Sequence, residues 1–207
     1  PLKVRGVGIH YTGMGLNLPA PNISDLRRTL SYTLKTYPVG QVFITGFDVI
    51  DYDGDFTDTS GNGCGAGWDG LLDRLRDLQG DDDSVVYYGL LPSGVPVNGF
   101  VGCGGGDGRV GAGFVGATSR DGANVTAAHE IGHASGRPHA PCGNPNNPDP
   151  NYPTYGTLPS ASIGEFGIDD DGTVQDPATA KDFMSYCSPR WVSLYTNEAL
   201  RQKFPPR

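Results

Sequence analysis

The chain has 207 residues, 37% hydrophobic and 18% charged, with 15 Lys and Arg against 23 Asp and Glu for a formal net charge of −8. That length and composition suit one domain with a sizeable core and exclude a disordered chain. The acidic balance lacks the basic footprint nucleic acid requires, and no apolar run approaches the roughly 18 residues of a membrane-spanning helix.

Val4–Tyr11 reads as a strand, followed by a loop rich in Gly, Asn and Pro. Asn22 or Ser24 can cap a helix running to about Thr36, with Ile23, Leu26, Leu30 and Leu34 at helical spacing. Gln41–Ile50 is a short apolar strand, and 51–66 is an acidic, glycine-rich loop. Trp68, Leu71, Leu72, Leu75 and Leu78 form a second helical stripe, and Ser84–Leu91 a compact strand buried in a sheet. Glycine is dense over 93–122, and Asn124 is a good N-cap for the next helix. Residues 143–160 read as one long loop and Ser193–Phe204 as a C-terminal helix. There is neither an internal repeat nor a dividing linker, so the whole of 1–207 is expected to be one domain.

The helix after Asn124 carries the chemistry. His129-Glu130-Ile131-Gly132-His133-Ala134-Ser135-Gly136-Arg137-Pro138-His139 fits H-E-x-x-H-x-x-G-x-x-H. His129 and His133, four apart, share one helical face and can converge on one ion. Gly136 can end the helix in a left-handed conformation and Pro138 discourages its continuation, so His139 can turn back as a third ligand. Three protein ligands leave a fourth position for water, the pattern of a catalytic zinc site, and Glu130 beside the first ligand is placed as its base. The bland alternative is an amphipathic helix with incidental histidines, yet three of the four histidines fall in this run. The fourth, His10, lies in a strand and reads as a structural or surface side chain.

Further on comes Asp182-Phe183-Met184-Ser185-Tyr186-Cys187. The long zinc motif followed by a methionine turn resembles the metzincin metallopeptidases, mainly over residues 110–195. The resemblance implies an α/β fold: a twisted, mixed, mostly parallel sheet with an antiparallel edge strand, a zinc helix beneath it, and a loop-rich C-terminal part with a terminal helix. It divides the chain into an upper part of about 1–136 and a lower part of about 137–207. It implies Zn2+ held by His129, His133 and His139, Glu130 as general base, Gly136 for the turn and Met184 as a floor under the metal. Tyr186 matches a tyrosine that in some relatives binds zinc or the oxyanion; packing beside the methionine turn is the alternative. Val110–Ala117 resembles the family's edge strand, so Gly111, Ala112, Gly113, Phe114 and Val115 are the expected substrate-binding residues, with a flexible loop as the alternative. Ala140 departs from the residues usual after the third histidine, and 163–187 looks like bacterial secreted members, including those near the mucin-cleaving group.

Cys64, Cys103, Cys142 and Cys187 make no C-x-x-C pair; beside such a signature they suggest two disulfides among three pairings. Cys64–Cys103 with Cys142–Cys187 is preferred, because the second would brace both sides of the metal; four free thiols are the alternative. Asp51, Asp53, Asp55 and Asp58 around Gly54 offer oxygen ligands to Ca2+, as Asp169–Asp171 do more weakly, but neither forms an EF-hand loop, and solvated acidic turns are the simpler reading. Pro1 is not an initiator, which fits a processed form or a cut piece of a longer precursor.

The expected function is a secreted or extracellular, monomeric zinc endopeptidase acting on a protein or glycoprotein. Alternatives are a glycan-dependent protease of mucin-type glycoproteins and a zinc-binding adhesion module without turnover. A gluzincin-type site is disfavoured by His139 at the metzincin spacing.

Overall fold

In the computed structural model, residues 1–105, 109–115 and 122–205 are described. Five strands form one sheet in the order β2-β1-β3-β5-β4. These are β1 (Leu2–Tyr11), β2 (Val42–Tyr52), β3 (Val86–Leu91), β4 (Gly102–Gly105) and β5 (Val110–Phe114). The β1–β2, β1–β3 and β3–β5 pairs are parallel, and β4 runs antiparallel to β5 at the edge.

Alternation along the strands sorts side chains onto two faces. Val7, Ile9, Tyr11, Tyr87, Leu91, Val110, Ala112 and Phe114 pack with Trp68, Leu71, Leu72 and Leu75 of α3 (Ala66–Gln79). Leu2, Val4, Val86, Tyr88 and Leu90 pack with α1 (Ile23–Thr29) and α4 (Gly122–Ala134), beside α2 (Ser31–Thr36). Helices thus cover both faces, as a mainly parallel sheet demands.

The C-terminal third is short on regular structure. It holds the hairpin β6 (Gly167–Ile168) with β7 (Val174–Gln175), the pair β8 (Lys181–Asp182) with β9 (Arg190–Trp191), and α5 (Leu194–Lys203). Ser193 caps α5, its side chain accepting from the Thr196 N–H, and Leu200 and Phe204 enter the main core.

Several expectations need correction. Residues 110–115 do not form the edge strand: β5 is interior, with Val110, Ala112 and Phe114 buried against α3, and the glycine-rich edge is β4. Gly116 and Ala117 lie outside the described residues. The helix expected to 36 breaks at Leu30, where ψ is 0°, and Leu34 is exposed while Thr33 and Thr36 are buried. Leu78 ends its stripe at the surface. β2 extends through Asp51 and Tyr52, shortening the acidic loop. Asn124 is inside α4, which begins at Gly122.

Candidate metal centre

α4 presents His129, Glu130 and His133, and then stops in a Schellman turn. The Arg137 N–H bonds the Gly132 carbonyl and the Gly136 N–H bonds the His133 carbonyl, at 2.9 and 2.8 Å, with Gly136 at φ +84°. The chain reverses through Pro138 and carries His139 back to the helix. His133 Nε2 lies 3.0 Å from His129 Nε2 and 3.1 Å from His139 Nε2.

Each ring is fixed from behind. The Nδ1 atoms of His129, His133 and His139 face the carbonyls of Phe183, Arg137 and Asn146 at 2.8, 2.7 and 3.0 Å. A carbonyl only accepts, so each Nδ1 carries the proton and each Nε2 of the neutral ring presents a lone pair. Burial, chiefly, pulls all three imidazoles below their ordinary pKa, His133 to about 4. Three lone pairs facing one another at this distance repel unless a cation lies among them. Four-coordinate ligands about 2.0–2.1 Å from a zinc ion would stand about 3.3 Å apart, close to the separations here. The cluster therefore suits a divalent metal such as zinc, and the backbone carbonyls act as the outer shell that orients such ligands.

Glu130 is buried next to this cluster, and burial pushes its carboxyl up to about 8. A divalent cation alongside would oppose that rise. Sequence reasoning missed what shapes the space around it. Ideal Cβ atoms on Gly102 and Gly104 would fall 2.8 Å from Glu130 Oε1 and 3.0 Å from Oε2, and Gly111 is also close. The two-residue spacing of Gly102 and Gly104, which puts both on one strand face, was the available signal.

The turn holding Met184 closes the site from below. Gly132 has no room for a side chain, because a Cβ there would fall on the Met184 sulfur. The Ala140 N–H bonds the Met184 carbonyl, the Tyr186 N–H bonds the Cys142 carbonyl, and Cys142 is bridged to Cys187. Cys64 is bridged to Cys103 on β4, tying the edge strand to the start of α3. The half-exposed Tyr186 places its hydroxyl 3.0 Å from His139 Nε2. Asp182 was also overlooked. Its fully buried carboxylate accepts the Met184 N–H at 2.7 Å and the Ser193 N–H at 3.0 Å, joining the turn to α5.

Asp51, Asp53, Asp55 and Asp58 do not gather. Among the described residues the metal-competent groups are the three histidines and Asp169–Asp171. Asp51 bonds the His10 ring, while Asp55 and Asp58 fold back onto the N–H groups of Thr57 and Ser60. At the second acidic turn the cation is the Lys35 ammonium, 2.8 Å from Asp169 and 2.7 Å from Asp170. Calcium therefore has no assembled site at the first cluster.

No protein-family model matches this chain, and no curated protein matches its sequence. The class the site defines is an α/β domain with a three-histidine cluster that could hold a metal ion and an adjacent carboxylate.

Proposed function

We propose that the chain is a zinc-dependent endopeptidase with a metzincin-like catalytic domain, working outside the cell. The observation that carries this reading is the convergence of three Nε2 lone pairs beside the buried Glu130 carboxylate. Zinc held there would supply a Lewis acid and lower the pKa of a bound water toward about 7. Glu130 takes the proton from the attacking water and passes it to the departing amine. Tyr186, close to His139 and half-exposed, can donate its hydroxyl to the oxygen on which negative charge develops. The open edge of β4, continuous with the cleft, can take the peptide backbone as an added strand. The two disulfides accord with an oxidising compartment.

A second reading, cleavage of glycoproteins, draws on the polar lobe of the cleft. That lobe, about 370 Å3, is lined by Asn62, Asp69, Arg76, Asn146 and Asn147, side chains that suit sugar hydroxyls. Cleavage of a mucin but not of its deglycosylated form would favour it.

The test of the main reading is zinc analysis together with digestion of a peptide library, with and without chelator. Glu130→Gln is expected to keep its zinc and lose about 100-fold or more in turnover. Near-normal proteolysis by that variant, or cleavage untouched by chelation, overturns the reading.

A further inference from the structure

Gly102 and Gly104 of β4, with Gly111 and Gly113 of β5, leave a bare strip of sheet under α4. A Cβ on any of the first three would meet Glu130, and one on Gly113 would fall 2.6 Å from the Tyr88 hydroxyl. Tyr88, on β3, is fully buried, and its hydroxyl has no hydrogen-bond partner among the described residues. The buried Tyr37, by contrast, donates to the Ala128 carbonyl at 2.8 Å. A hydroxyl sealed from solvent costs stability unless something accepts its hydrogen bond. Burial, and then the charge of Glu130, raise the Tyr88 pKa well above its ordinary value, so the phenol keeps its proton and can donate.

Gly102 and Gly113 are direct partners across β4 and β5, so their Cβ positions stand about 4.5–5.5 Å apart on one face of the sheet. Glu130 Oε1 lies 2.8 Å from the first position, and the Val101 carbonyl oxygen 3.4 Å from the second, beside the Tyr88 hydroxyl. Two hydrogen bonds of about 2.7 Å through one water span such a separation, and a buried water needs about two to four polar partners. We propose that one ordered water links the Tyr88 hydroxyl to the Glu130 carboxylate, which makes Tyr88 a positioning residue for Glu130. The water accepts from Tyr88 and donates to Glu130 and to the Val101 carbonyl. It fixes the rotation of the carboxylate over the glycines of β4 and takes no part in bond making. That the carboxylate so held is a catalytic base rests on the peptidase reading above; the bridge itself does not.

Crystallography and kinetics test it together. In a crystal structure that shows ordered water, one water should stand within about 3.2 Å of both the Tyr88 hydroxyl and a Glu130 oxygen. Tyr88→Phe removes the hydroxyl alone, and in its crystal structure the Glu130 carboxylate should take up a second orientation. On a peptide substrate Tyr88→Phe should lower kcat about tenfold and leave KM, zinc content and melting temperature close to the parent values, because the peptide touches neither the ring nor the bridging water. A merely structural role would instead lower the melting temperature or the zinc content. In a Glu130→Gln background the same substitution should cost nothing further, since the two groups act as a unit. A site without that water, full kcat in Tyr88→Phe, or an equal loss with and without the Glu130 carboxylate overturns the proposal. Absence of cleavage by the parent protein sinks the peptidase reading itself, and the water and the carboxylate orientation in the two crystals then decide the bridge. Chelator-sensitive cleavage in a protein that lacks the bridge sinks this inference alone.

Discussion

The sulfur of Met184 fills the space that a side chain at Gly132 would need, so the histidine-bearing helix and the methionine turn meet at a glycine. Gly132→Ala forces one of them away. Overpacking of this kind costs about 1–3 kcal/mol. At about 2–4 °C per kcal/mol for a chain this long, the loss is readable in a thermal melt. Met184→Ala opens the same space, so the double variant should lose less than the sum of the two single losses. Strict additivity in the four melts would show that the contact does not couple the helix to the turn.

The glycines of β4 make a different prediction, about rate. A Cβ at Gly102 falls 2.6 Å from Thr126 Cγ2 and 2.8 Å from Glu130 Oε1, so Gly102→Ala displaces the carboxylate. A shift of about 1 Å in a reacting group can cost about 100-fold. Turnover on a peptide substrate should therefore fall about 10- to 100-fold with metal content unchanged. Gly105→Ala is the control: its Cβ meets the end of the flexible Arg76 side chain, which can swing aside. Equal rates for the two variants would remove the seating role of Gly102.

His10 offers a pH-dependent signature far from the metal. Its Nδ1 faces Asp51 Oδ1 and its Nε2 faces Asn17 Oδ1, both at 2.6 Å, so both ring nitrogens meet acceptors. The bond to Asp51, then that to Asn17, raises its pKa above the usual value. A group raised on folding stabilises fully below its unfolded pKa, about 6.5, and that contribution is lost as pH rises through the higher folded value. The ring is partly exposed and the energy correspondingly small. The NMR titration of His10 should have its midpoint above about 6.5 and move down in Asp51→Asn. A midpoint unmoved by that substitution would remove Asp51 as the cause.

The histidine cluster was legible because its geometry is local. Helical spacing brings His129 and His133 together, and Gly136 and Pro138 turn the chain within the same short run. The cysteine pairing preferred for bracing the metal is the pairing the structure contains. The edge of the sheet was not legible. Both 102–105 and 110–114 are rich in glycine, and which one lies outside depends on pairing with β3, a long-range fact. Leu34 and Leu78 have helical spacing, but the core ends before reaching them. Arg190 belongs to no local pattern; only the approach of β9 to α4 brings it to the cleft.

Asp182 completes the support of the metal centre. Its two carboxylate oxygens accept the Met184 and Ser193 N–H groups in a fully buried position. Asparagine keeps the shape but has one acceptor oxygen and an NH2 group that would face an N–H. Asp182→Asn therefore leaves a buried donor without an acceptor, at about 1–3 kcal/mol. The melting temperature should drop by about 2–4 °C per kcal/mol. Zinc affinity should fall as well, because the Phe183 carbonyl that orients His129 lies between Asp182 and Met184. A chelator competition on the folded protein separates the two effects. An unchanged melt together with unchanged zinc affinity would mean that the turn holds its place without this carboxylate.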